Sequence, residues 1–205
     1  MEQWLYQIKT LKLTIFSLSS LPLIFMIAGF INDSLGANPI ENLMELSGQA
    51  TLYFILLTLT ISPLSQILNY HSLIKIRRML GLFCYLYAST HFAIYIALEQ
   101  WFDLSLIIED IKERPFITIG VINLILLTPL ALTSTDAMRA RLQTNWLKIH
   151  KLIYLISILA IIHYWWSAKA DLFIPVMSAV VLTFLLAYRL FRYLQMRKLW
   201  KTTHN

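Results

Sequence analysis

Six stretches of this chain are apolar almost without interruption, and they fix its first reading. They run Leu11–Phe30, Leu46–Leu68, Met79–Leu98, Phe116–Leu132, Trp146–Ser167 and Leu172–Leu190. A bilayer core of about 30 Å is crossed by about 20 helical residues, and each stretch is near that length. The pattern predicts six transmembrane helices. Pro22, Pro63, Pro129 and Pro175 fall inside or near the ends of these helices, where neighbouring spans let a membrane helix tolerate a kink. The first stretch is too long for a signal-peptide core and lacks a small-x-small cleavage site, so it reads as a retained helix. No linker, low-complexity tract or obvious repeat breaks the series. The fold expected is an all-α integral membrane bundle, with residues 1–205 as one domain.

Between the third and fourth helices, Trp101–Ile111 alternates apolar and acidic residues with helical spacing. An interfacial helix and a plain loop both fit that pattern. Composition agrees with a membrane chain: 58% of the residues are hydrophobic and 14% charged, against about 45–50% and about 25% in soluble domains. The net charge of +6 does not indicate nucleic acid, because the basic residues sit in the short segments between apolar runs. Alternating the segments from a cytoplasmic N-terminus puts 14 of the 17 lysines and arginines on the cytoplasmic side, leaving Lys112, Arg114 and Lys169 outside. The positive-inside rule then places both termini in the cytoplasm. The outer segments carry Asp33, Glu41, Glu45, Glu99, Asp103, Glu109, Asp110, Glu113 and Asp171. Cys84 is the one cysteine; it excludes an intrachain disulfide or a Cys-x-x-Cys redox pair and reads as a packing residue.

Three of the five histidines lie within the apolar helices: His91 in the third, His150 and His163 in the fifth. Ionisable groups at membrane depth are costly and stand by default as functional. Helices 3 and 5 run in the same direction, so residue offsets compare as depths. His91 is 14 residues beyond Arg77, and His163 is 13 beyond His150, about 20 Å of rise in either case at 1.5 Å per residue. His91 and His163 therefore share a level in the outer half, with His150 and Arg77 level with each other near the inner edge. Two imidazoles facing each other at one level, within apolar walls, are what a six-coordinate haem iron needs. Thirteen residues leave His150 and His163 about 220° apart around an ideal helix. Tilt, a local π-bulge or two cofactors approached from different directions would each reconcile this.

Neither a His-Glu-x-x-His motif nor an acidic cluster at depth accompanies the histidines, which disfavours zinc and non-haem iron. A proton pathway would need intramembrane carboxylates, and there are none. His71 and His204 read as surface residues. Arg77, Arg78, Arg139, Arg141, Lys148 and Lys151 form a dense inner rim, explained by topology and lipid headgroups or, more sharply, by haem propionates or a flavin phosphate. Trp165 and Trp166 read as interfacial belt residues, and Met26, Met79 and Met177 as packing.

The run Arg77-Arg-Met-Leu-Gly-Leu followed by His91 resembles the ferric-reductase-like transmembrane superfamily. More narrowly, Arg114-Pro-Phe-Ile-Thr-Ile-Gly120, Leu132-Thr-Ser-Thr-Asp-Ala-Met138 and Trp146-Leu-Lys-Ile-His-Lys-Leu-Ile-Tyr154 resemble the MsrQ (YedZ) family. Its members are haem-binding membrane subunits of bacterial periplasmic methionine-sulfoxide reductases. The resemblance implies a ferric-reductase-like bundle in the bacterial inner membrane, containing b-type haem and FMN. It implies electrons drawn from quinol or a cytoplasmic flavin reductase and passed to a periplasmic molybdopterin subunit. It implies also that His91, His150 and His163 are the family's membrane histidines. Arg77 stands where the wider superfamily has an inner histidine on helix 3. The inner cofactor is then either FMN or a haem held differently through His150.

Two other functions compete. A stand-alone ferric or quinone reductase would need its NAD(P)H module on another protein, since no Gly-x-Gly-x-x-Gly fingerprint is present. A small transporter or structural subunit would carry no visible cofactor.

Overall fold

The computed structural model describes residues 2–168 and 172–203. Among them, six helical segments are long and apolar enough to cross a membrane: Ile8–Ile31, Pro39–Ile67, Ile74–Glu99, Pro115–Leu132, Thr144–Ser167 and Phe173–Lys198. The six expected spans all appear. Polar end residues set their limits more than the apolar runs do. Helix α1 covers Glu2–Ile31 and α2 covers Pro39–Ile67; Asn38 caps α2, its side chain accepting from the Glu41 amide at 3.4 Å, and Pro39 occupies the first turn, where no amide hydrogen is needed. Helix α3 covers Ile74–Ile94 and continues as a π-turn over Tyr95–Glu99.

The segment left open as helix or loop is a helix, α4, over Leu104–Glu113. Trp101 and Phe102, both at positive φ, turn the chain out of the π-turn, and Asp103 then caps α4 through the amides of Ser105 and Leu106. The buried Asp110 fastens α4 to the rest: its carboxylate accepts from the Tyr95 hydroxyl at 3.0 Å and from the Gln100 amide at 2.6 Å. Its other oxygen pairs with Arg114 at 3.2 Å. Helix α5 covers Pro115–Leu132.

The fifth span is not one helix. Short helix α6 (Asp136–Leu142) precedes it, Gln143 turns the chain at φ 48°, and α7 (Thr144–His150) passes into α8 (Leu152–Ser167) through a break at Lys151. A π-turn does occur, but at the end of the third span; Lys151 interrupts the fifth. Helix α9 covers Phe173–Thr203. Lys169, Asp171 and His204 lie outside the described residues, as does the side chain of His71.

The core is a four-helix bundle of two hairpins, α2 with α3 and α5 with α8. Helix α9 lies against α2 and α8, and α1 against α2 and α3. The outward faces stay apolar: Leu13, Phe16, Leu21 and Phe25 of α1 are all more than half exposed, as a lipid-facing surface is. One buried side chain pins α1. Pro22 cannot donate to the helix ladder, and the Tyr87 hydroxyl inserts one residue further on. It donates to the Ser19 carbonyl at 2.6 Å and accepts from the Leu23 amide at 3.1 Å, bridging what would be a direct helix bond. The Tyr87 ring stacks on Phe54 at 5.2 Å, while Cys84 is buried in the same core.

The bundle has an acidic end, formed by 33–45 and 99–113, and a basic end, formed by 75–78, 136–151 and 189–198. At the basic end the two hairpins are joined by Arg78 and Asp136 at 2.8 Å.

Candidate functional site

His91 stands on the last turn of α3 and His163 on the last turns of α8, both toward the acidic end. Their ring centres are 6.2 Å apart and their planes cross at 88°. The His91 Nδ1 lies 2.9 Å from the Met44 carbonyl of α2; the His163 Nδ1 lies 2.6 Å from the Phe116 carbonyl of α5. A carbonyl can only accept, so Nδ1 carries the proton on each ring and Nε2 keeps its lone pair. Histidines that ligate metals are oriented in this way, the second nitrogen donating to a carbonyl or carboxylate.

Each ring also lies against a glycine four residues beyond its carbonyl. A Cβ on Gly48 would come within 3.2 Å of His91 Cε1, and one on Gly120 within 2.9 Å of His163 Cε1. The arrangement is built twice, once per hairpin, and the sequence separation from carbonyl to histidine is 47 residues both times. No repeat was expected from the sequence; the repeat is spatial, with glycine and histidine as its recurring residues.

The pair fits haem iron by distance as well as by donor type. With metal–nitrogen bonds of roughly 2.0 Å each, one metal ion could be held between two rings whose centres are 6.2 Å apart. Among the described residues no group of three His, Cys, Asp or Glu side chains could enclose a metal ion. Haem needs only two protein ligands.

The basic end is organised differently. His150, at the end of α7, stacks its ring on Trp146 of its own helix with centres 3.9 Å apart, and its Nδ1 faces the Trp146 carbonyl at 3.1 Å. Trp146 in turn donates to the Thr133 carbonyl at 3.0 Å and lies under the Arg139 guanidinium. Arg77 is within electrostatic reach of His150 and donates to the Ser62 hydroxyl at 3.2 Å. Among the described residues no second imidazole contacts His150.

The family match can be set beside this geometry. The family described as "Ferric reductase like transmembrane component" matches residues 43–161, which hold α3, α5 and most of α2 and α8 and end two residues before His163. A Herminiimonas arsenicoxydans protein named "Protein-methionine-sulfoxide reductase heme-binding subunit MsrQ" is 39% identical over 90% of this chain and 86% of its own length. Proteins of the same name from Azospira oryzae and Xanthomonas euvesicatoria pv. vesicatoria are 39% and 41% identical, over 96% and 82% of this chain and 85% and 77% of their own lengths. This chain belongs to the MsrQ family, within the ferric-reductase-like transmembrane proteins. No solved structure matches.

As a member of the MsrQ family the chain is a multi-pass membrane protein. Of its four sequence-predicted site residues, the structure brings His91 and His163 together at the acidic end and places His150 beside Arg77 at the other. Trp165 and Trp166 are exposed at the acidic end of α8, as belt residues are. Sequence reasoning missed Gly48, Gly120, Ser47 and Arg189. Arg189 reads in sequence as one more cytoplasmic charge, but its guanidinium reaches the Leu59 carbonyl of α2 and lies 5.7 Å over the Tyr154 ring. The reason is local: Leu59 is four residues before Pro63, so its carbonyl has no helix donor, and Arg189 supplies one. Arg189 is also within electrostatic reach of Arg77, so the basic end gathers two guanidiniums. Neither has a carboxylate partner among the described residues.

Proposed function

We propose that this chain is an electron-transfer subunit: it carries haem b between His91 and His163 and passes electrons across the bacterial inner membrane to a periplasmic methionine-sulfoxide reductase. The observation that carries this reading is the facing imidazole pair, 6.2 Å between centres, with both Nδ1 atoms engaged by carbonyls. The relatives' printed names, each a haem-binding subunit of that reductase, support the cofactor and the partner.

When bound, haem b supplies a one-electron couple between ferric and ferrous iron. The chain's residues position and insulate it. His91 and His163 would present Nε2 to the iron, the Met44 and Phe116 carbonyls fix each ring's tautomer and plane, and Gly48 and Gly120 leave the rings room. The apolar walls of the two hairpins exclude water.

At the basic end we assign a second carrier, FMN or a second haem, to His150, Arg77 and Arg189. The two guanidiniums, neither with a carboxylate partner among the described residues, suit a phosphate or a propionate, and His150 engages its own helix through Nδ1 rather than Nε2. By the positive-inside rule the basic end and both termini are cytoplasmic. Electrons then enter there, from quinol or a flavin reductase, and leave at the acidic end toward a molybdopterin-containing partner. Sulfoxide chemistry belongs to that partner.

The match to ferric-reductase-like proteins also favours a second reading, a stand-alone ferric or quinone reductase. One experiment addresses both. In proteoliposomes with reduced flavin outside and the methionine-sulfoxide reductase inside, sulfoxide reduction is expected to require this chain with its haem. Iron reduction without the partner, together with no transfer to it, would favour the second reading instead.

A further inference from the structure

The two copies of the carbonyl–glycine device differ in the residue that precedes the glycine. In the first hairpin the residue preceding Gly48 is Ser47; in the second, the residue preceding Gly120 is Ile119. Ser47 is fully buried, and its Oγ lies 3.1 Å from His91 Nδ1. The direction of that contact follows from its neighbours. The Met44 carbonyl, 2.9 Å away, requires the proton on Nδ1, so Ser47 cannot donate to it. The serine hydroxyl instead donates to the backbone, with the Leu43 carbonyl at 2.7 Å and the Met44 carbonyl at 3.1 Å, which leaves its oxygen to accept from the ring. The His91 N–H is therefore shared between two acceptors, whereas among the described residues the His163 Nδ1 turns to the Phe116 carbonyl.

We infer that Ser47 is a positioning residue that makes His91 the more electron-rich of the two ligands and so lowers the reduction potential at that site. This rests on the reading of His91 and His163 as axial ligands. An acceptor on the distal N–H raises the basicity of the ligating nitrogen, and a more basic ligand favours the ferric state. Two acceptors at fixed angles also hold the ring plane, here at 88° to that of His163. Perpendicular imidazoles give ferric iron a strongly anisotropic low-spin EPR signal.

The test is a redox titration of the purified full-length holoprotein, with an EPR spectrum of its ferric form. Ser47→Ala should raise the midpoint potential by an equilibrium factor of about three- to tenfold, the range in which one neutral hydrogen bond acts. That is about 30–60 mV at 59 mV per tenfold for one electron. Ser47→Thr keeps the hydroxyl and should restore the parental potential. Ser47→Cys, nearly isosteric with a weakly accepting sulfur, should move it upward by less than alanine does. Ser157→Ala is the control: it removes an equally buried hydroxyl that bonds the Tyr154 carbonyl, and it should leave the potential unchanged. Parental potentials in Ser47→Ala, or in Ser47→Cys should alanine lose haem, would overturn the inference while leaving the haem assignment intact. Parental protein without a low-spin haem would overturn both.

Discussion

The two ends of the bundle use histidine in opposite ways. At the acidic end two imidazoles from separate hairpins face each other, each oriented by a carbonyl of the neighbouring helix and backed by a glycine. At the basic end His150 is held by its own helix, stacked on Trp146, and faces arginine chemistry. Preorganisation separates the two. The rings at the acidic end are fixed from outside their own helices, so a metal would meet a formed site; His150 is oriented locally and shares its end with Arg77 and Arg189.

That contrast can be strained first at the glycines. A Cβ at residue 120 would lie 2.9 Å from the His163 ring and one at 48 would lie 3.2 Å from His91. Overpacking of this kind costs about 1–3 kcal/mol, so Gly120→Ala should weaken haem binding roughly ten- to hundredfold, and Gly48→Ala less. Haem retention on dilution in detergent measures both; equal effects, or none, would deny the glycines a role in seating the rings.

At the basic end the telling quantity is smaller, a coupling between two substitutions. Arg189→Met strands the Leu59 carbonyl, which Pro63 already deprives of its helix donor, at a cost of about 1–3 kcal/mol for an unsatisfied buried acceptor. Pro63→Ala returns an amide hydrogen to that carbonyl. In the Pro63→Ala background, Arg189→Met should therefore lower the thermal midpoint by less, with coupling of about 1 kcal/mol. Additive effects would mean that Arg189 serves something other than the carbonyl. The smallest change should come from Asp136→Ala: both partners of the Arg78–Asp136 pair are solvent-accessible, so its loss should cost under about 1 kcal/mol and leave the absorption spectrum unchanged.

How much of this the sequence discloses depends on the range of the interaction. Span number and depth are local properties: twenty apolar residues and a 1.5 Å rise put His91 and His163 at one level before any contact is known. The break at Lys151 is not visible, since Trp146 to Tyr154 is apolar and basic throughout and holds neither proline nor glycine. The role of Arg189 is hidden for another reason. It takes two helices far apart in sequence to bring a guanidinium to a carbonyl freed by a proline. The glycine device did leave a trace, because 43 residues separate Gly48 from His91 and 43 separate Gly120 from His163. At so few shared positions the repeat becomes apparent only once the rings are seen resting on the glycines. Ser47 reads in sequence as one more small polar residue in a helix, and only its 3.1 Å approach to the ring marks it out.

Electron transfer through this bundle requires one iron shared between α3 and α8. Absorption spectra of purified His91→Ala, His163→Ala and His150→Ala proteins, recorded oxidised and reduced, test it most directly. Loss of the same low-spin haem bands in the first two, with those bands kept in the third, is the result predicted. Low-spin bands that survive in either His91→Ala or His163→Ala would contradict it.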